Sequence, residues 1–363
     1  MNLIARAMVV GAINQSPHDS SIAPRFINRR DLQIAHFDSI NLSMPLCFMV
    51  DFKERAVHSL QPVTFNPKRL LSGQRNSQGA ECMRGDSIFH IFRNTPYGKD
   101  AFAQCAEFAK KVGVKVTVYI PKHRQFLMYF DRRAVTVDLD QRFLYDPQSA
   151  AVHAEEQIAL HNVTADFFEP KEFTANALPD VPVDFRYMCC PRSIGELSSK
   201  MSLGHINAKV RQIIQYSSFP VFIPTWVHKE WSRIVVFFGG TTHASALNAV
   251  NAVKAALALR ANRRLPVALF TRASSGKSRT YYEDLLGNAG LDGSLPELGI
   301  EWMFYTEGNF SDLLYEVPSD ALVTVGADSR GGLKEFLFGS KAEEIQTRLP
   351  NNMLIVGPNC IRN

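Results

Sequence analysis

One pattern occurs twice in this chain: a short apolar run, a polar turn, an amphipathic helical stretch and a second apolar run. The opening runs are Ser87-Ile-Phe-His-Ile-Phe92 and Arg233-Ile-Val-Val-Phe-Phe238. Their turns are Arg93-Asn-Thr-Pro96 and Gly239-Gly-Thr-Thr242. The first helical stretch places Ala101, Cys105, Phe108, Ala109 and Val112 on one face, and the second places Ala246, Ala249, Val250, Val253 and Leu257 there. The closing runs are Val114–Ile120 and Leu265–Phe270. A strand, a helix and a second strand in that order imply a parallel sheet, because parallel neighbours need a crossover connection.

The two segments also end alike. Asp184–Cys189 and Asp320–Val325 read as strands, each followed by a glycine-bearing loop, a helix and a last apolar run, Phe219–Ile223 or Met353–Val356. Ile88 and Ile234 stand 146 positions apart, while Asp184 and Asp320 stand 136 apart, so the length difference lies in the middle of the segment, where insertions are tolerated. Any two doubly wound domains share strand-helix alternation, but matching ends in the same order argue for duplication. The expected organisation is a loosely ordered extension over residues 1–85, a first α/β domain over 86–228 and a second over 229–363. The fold class is therefore α/β, two tandem Rossmann-like domains with mostly parallel sheets.

Bulk properties narrow the function. The 363 residues, 46% of them hydrophobic, suffice for more than one core. Forty basic residues against 35 acidic ones give a net charge of +5, spread thinly, so nucleic acid is not an expected partner. No run approaches the ~18 consecutive apolar residues of a spanning helix, so no membrane insertion is expected. Ala7–Ile13 lacks a cleavage site, and the six cysteines lack C-x-x-C pairs, so a cytoplasmic protein is expected.

The loop after Val325 carries the strongest motif. Gly326 frees the backbone at the strand end, Gly331-Gly332 precedes a helix expected near Leu333, and Gly339-Ser340 opens the next helical segment with Ser340 as candidate N-cap. Amides at helix starts, with a hydroxyl and glycines beside them, can cradle phosphates. This segment resembles the nucleotide-binding universal stress proteins, whose loop has the form Gly, two residues, Gly, nine residues, Gly-Ser or Gly-Thr. Gly326, Gly339 and Ser340 match, and Ser329 stands where the second glycine would be. The resemblance implies an adenine-nucleotide α-hydrolase-like fold, ATP as ligand at Gly326, Ser329, Gly339 and Ser340, and an internal pseudo-dimer of the two repeats. Family members that bind ATP carry an aspartate at the end of the first strand, where this chain has Gly239 in the second copy and Arg93 in the first. Weak ATP binding, another anion, or no ligand all stay open for the second copy. In the first copy Cys190 replaces the first glycine, Pro191 removes an amide and Gly204-His205 replaces Gly-Ser, so a structural role is expected there.

The remaining signals point to ordinary structure. Ser274-Ser-Gly-Lys-Ser278 lacks the first glycine of a phosphate-binding P-loop and reads as a solvated basic turn. His153 and His161 stand eight apart, too far for neighbouring ligands on one helix, and no metal is expected. Cys189 and Cys190 read as packing residues at a strand end. No nucleophile motif is present, so no catalysis is expected. The expected function is a non-enzymatic, universal-stress-type protein responding to stress through nucleotide or protein contacts. The alternative is a regulatory module without nucleotide binding, acting on a separate partner such as a membrane transporter. Further self-association is also left open.

Overall fold

The computed structural model describes residues 84–130, 133–140, 146–170, 180–182, 185–194, 205–225, 229–239, 243–261, 265–291, 295–327 and 340–360. These lie in one compact unit, Gln78–Asn363. The expectation for the N-terminal extension falls almost wholly outside the described residues.

The strands are β1 (Ser87–Ile91), β2 (Lys115–Tyr119), β3 (Gln125–Phe130), β4 (Arg133–Asp138), β5 (Ala165–Phe168), β6 (Asp180–Pro182), β7 (Tyr187–Cys189), β8 (Val221–Ile223), β9 (Arg233–Phe237), β10 (Val267–Arg272), β11 (Ile300–Tyr305), β12 (Ala321–Gly326) and β13 (Met353–Val356). The helices are α1 (Pro96–Val112), α2 (Pro147–His161), α3 (Ala208–Tyr216), α4 (His243–Ala261), α5 (Arg279–Gly287), α6 (Phe310–Leu313) and α7 (Ser340–Arg348). Local chemistry sets several of the ends. Pro96 opens α1, Thr95 Oγ1 accepts from the Gly98 amide at 3.0 Å, and Gly113 closes the helix at φ 76°.

Ten strands form one sheet in the order β11-β10-β9-β12-β13-β8-β7-β1-β2-β5. Read outward from the β8/β13 pair, each side repeats the same arrangement. The last strand of the segment is followed by the strand before it, then the first strand and then its successor. Every neighbouring pair is parallel except β8 with β13, which run antiparallel with Met353 opposite Ile223, Leu354 opposite Phe222 and Ile355 opposite Val221. The strands are apolar on both faces, as a sheet covered on both sides requires. Ile88, Cys189, Phe222, Ile234, Val236 and Leu354 face one layer with α1, α2, α4 and α5. Phe89, Met188, Val221, Val235, Val323 and Ile355 face the other, with α3, α7 and a small second sheet.

That second sheet, β4-β3-β6, lies in the middle of the first segment. Phe126, Met128, Phe130, Val135 and Val137 alternate along its hairpin with more exposed residues and are buried. The sequence gives room for an insertion there without revealing that it is a hairpin.

The seam between the halves is tied by side chains as well as by the sheet. Phe108 on α1 stacks on Phe222 at 4.6 Å, and its ring lies 6.1 Å from that of Trp231. Gln104 Nε2 donates to the Thr225 carbonyl at 2.9 Å, and the Thr225 hydroxyl donates back to Gln104 Oε1 at 3.0 Å. The Thr225 amide in turn donates to Asn352 Oδ1 at 2.9 Å. Each of these groups is buried, so each bond satisfies an atom that water cannot reach. No helix among the described residues is long and apolar enough to cross a membrane.

Candidate functional site

In an open, doubly wound sheet the place for a ligand is the crevice beyond the carboxyl ends of the strands, where successive connections leave in opposite directions. This sheet has two such points. In the second half the chain passes from β9 to β10 and β11 on one side, then returns to β12 on the other. In the first half the same happens between β1 and β7. Gly239 follows β9 and Gly326 ends β12, so the motif found in the sequence lies at one of these points.

Gly326 is required for a reason other than the expected one. It is not among the positive-φ residues; instead, a Cβ on it would lie 2.3 Å from the Asn248 carbonyl oxygen and 2.9 Å from the Ala249 amide nitrogen. The backbone of α4 thus passes directly over the end of β12, and only glycine leaves room. The Asn248 side chain fixes that approach by donating to the Ala327 carbonyl at 2.7 Å. Ser340 is the first helical residue of α7. Ser329 and Gly339 lie outside the described residues, as does the helix expected near Leu333.

Gly239 is different. Among the described residues a Cβ built there meets nothing within 4 Å, and its φ is not positive, so they leave room for a larger residue. The neighbouring strand ends are held in register by a relay in which Trp302 Nε1 donates to Thr271 Oγ1 at 3.0 Å and that hydroxyl donates to the Phe238 carbonyl at 2.7 Å. Among the described residues, nothing crowds the end of β9, whose neighbours this relay holds in place.

The first-half crevice is filled. Arg93, which follows β1, is 3% exposed, and its Nη1 donates to the Ser193 carbonyl beyond β7 at 3.3 Å. Its guanidinium also lies 5.4 Å from the centre of the Tyr97 ring. Arg192 is equally buried and donates to the Gln346 carbonyl of α7 at 3.0 Å, reaching across to the other half. Burial holds both guanidinium pKa values below their ordinary range. The first turn of α1 closes down on this point, since a Cβ on Gly98 would meet the Arg93 carbonyl oxygen at 2.0 Å. One amide of that turn is already taken by Thr95, and Cys190, in the place of the first glycine, is buried. Sequence alone marks Arg93 as a missing aspartate; that it plugs the crevice depends on a partner 100 residues away.

Burial pushes the Tyr97 phenol up to about 12, against the opposing pull of Arg93 and Arg192. A phenol whose folded pKa exceeds its unfolded value of 10.0 contributes stability that is whole below that value and is lost as pH rises toward about 12. The urea midpoint is thus expected to fall more steeply between about pH 10 and about pH 12 in the wild type than in a Tyr97→Phe variant.

The other sequence candidates have structural duties. Ser274–Ser278 forms a turn through Gly276 at φ 76°, Ser278 caps α5 by accepting from the Tyr281 amide at 3.4 Å, and Lys277 Nζ lies 3.7 Å from the centre of the Tyr281 ring. His153 and His161 sit half-buried on α2, with Ser149 Oγ 3.4 Å from His153 Nδ1. Cys189 and Cys190 are both buried, facing opposite sides of the sheet.

No protein-family model matches the chain, and no curated protein matches it in sequence. Solved structures similar to it include a functionally unknown protein from Pseudomonas aeruginosa PAO1, with 10% identity, 76% of this chain and 94% of that one covered, and a TM-score of 0.48. A universal stress protein from Archaeoglobus fulgidus DSM 4304 gives 14% identity, coverage of 75% and 96%, and a TM-score of 0.47. The cytoplasmic domain of a prokaryotic cation chloride cotransporter gives 9% identity, coverage of 76% and 96%, and a TM-score of 0.41.

Proposed function

We propose that this chain is a tandem universal-stress-type protein, non-catalytic, whose second half binds an adenine nucleotide such as ATP in the crevice between the ends of β9 and β12. The first half serves as its structural partner. The observation that carries this reading is the contrast between the two switch points: Arg93, Arg192 and Tyr97 occupy the first, whereas Gly239 leaves space at the second. Gly326 and Ser340 flank that second crevice in the chain, in the positions that the loop motif gives them.

The space at Gly239 provides the test. An aspartate there has room and would supply the acceptor for a nucleoside hydroxyl or amine that the present residue lacks. Gly239→Asp is expected to melt with the wild type and to bind ATP about tenfold more tightly, a gain of about 1.4 kcal/mol. Thermal-shift titration with ATP, ADP and AMP in the presence of Mg²⁺ reads both quantities. If the variant folds and neither protein responds to millimolar nucleotide, the nucleotide reading is wrong.

A further inference from the structure

Beneath α1, three side chains from separate elements converge. His90 comes from β1, Cys105 from α1 and Cys189 from β7, and their donor atoms all lie within 4.8 Å of one another. None is more than 1% exposed. The His90 ring packs edge-on against Phe102 at 5.3 Å, and the Cys189 thiol lies 4.0 Å from the Ala101 carbonyl. Both cysteines are free thiols.

His90 is the telling member. Neither buried ring nitrogen has a partner at normal hydrogen-bond distance, and the polar group with which the ring interacts is the Cys189 thiol. Leaving a buried donor and acceptor unmade is costly, and a leucine at the same place would avoid that cost. Its ring shares the face of the sheet on which Cys105 and Cys189 lie, so its nitrogens belong to a cluster with two soft donors.

We propose that His90, Cys105 and Cys189 bind copper(I) in a buried three-coordinate site. Two thiolates and an imidazole are soft and borderline donors, a set suited to copper(I) or zinc. Structural zinc closes its shell with four protein ligands, whereas this group contains three histidine, cysteine or carboxylate donors among the described residues. Donors about 2.2 Å from a trigonal ion stand about 3.8 Å apart, so contraction by up to about an ångström completes the site. Binding displaces one proton from each thiol to solvent and leaves a complex of charge −1. The buried Arg93 guanidinium, which interacts with the Cys189 thiol, offsets that charge. No oxidation change is involved. Because the cluster is sealed, the ion enters during folding or through local opening of α1.

The test is the copper content of the full chain, produced in copper-supplemented cells, purified anaerobically with reductant and then challenged with bicinchoninate. One copper(I) per chain is expected to survive in the wild type and in a Cys47→Ser/Cys82→Ser control. Retention is expected to fall by more than about tenfold in Cys189→Ala and in His90→Leu. His90→Leu removes unsatisfied atoms from the core, so its circular dichroism is expected to match the wild type and its melting to lie at or above that of the metal-free wild type, separating ligand loss from unfolding. X-ray absorption of the loaded protein is expected to show two sulfur neighbours and one nitrogen. Equal retention by wild type and His90→Leu, no copper in the wild type, or zinc held in preference to copper would each overturn the assignment.

Discussion

Gly326→Ala is expected to lower the unfolding free energy by about 3 kcal/mol, at the upper end of what one added methyl group costs in a packed interior. The reason lies in what the new atom meets. It would sit 2.3 Å from a carbonyl oxygen and 2.5 Å from the carbonyl carbon of Asn248, and both belong to the backbone of α4. No side chain can swing aside to relieve that contact, so the helix must lift from β12. Lifting it loosens Ala246, Ala249, Val250 and Val253, all buried against the sheet, and stretches the bond from Asn248 to Ala327. Gly239→Ala, where no described residue lies within 4 Å, is expected to stay within about 0.5 kcal/mol of the wild type. Urea unfolding of the two variants side by side makes the comparison, and equal costs would show that α4 does not approach β12 as described.

Phe222→Ala is expected to cost about 3–5 kcal/mol, the range for truncating a large aromatic side chain in a core. Phe222 is fully buried, stands opposite Leu354 across the single antiparallel pairing of the large sheet, and stacks on Phe108 of α1. Its loss therefore opens a cavity at the place where the two halves share one sheet. Both halves are expected to melt together at the lower temperature, because the sheet and the Gln104–Thr225–Asn352 hydrogen bonds couple them. Calorimetry showing two transitions, with one half unshifted, would mean that the halves fold independently. An exposed control, Leu160→Ala on α2, where Leu160 is 72% exposed, is expected to change stability by no more than about 0.5 kcal/mol.

Much of the sheet was legible in the sequence because buried parallel strands are short continuous apolar runs, and this chain has them at matching places in two segments. Met353–Val356 is a strand over the expected residues, and its antiparallel register with β8 follows from the reversed order of the two halves. What periodicity could not supply was the hairpin of β3 and β4. The region between Gln125 and Asp138 alternates as a strand pair does, but nothing local says that its buried face packs on the large sheet rather than on solvent.

At the candidate site the sequence identified Gly326 and gave the wrong physical reason for it. Conformational freedom is a local property that can be read from a loop, whereas the approach of a helix begun some eighty positions earlier is not. The same limit hid the plug in the first crevice, where Arg93 meets Ser193 and Arg192 meets Gln346. It also hid His90, Cys105 and Cys189, whose spacing along the chain matches no compact ligand motif and whose proximity depends on α1 lying across β1 and β7.

The central claim is that one crevice of this two-fold sheet is open to a ligand and the other is closed. Isothermal calorimetry of the full chain with ATP and Mg²⁺ tests it directly through stoichiometry. One nucleotide per chain, bound more tightly by Gly239→Asp, is the predicted result. Two per chain would contradict the closure of the first crevice by Arg93 and Arg192, and none would contradict the opening of the second.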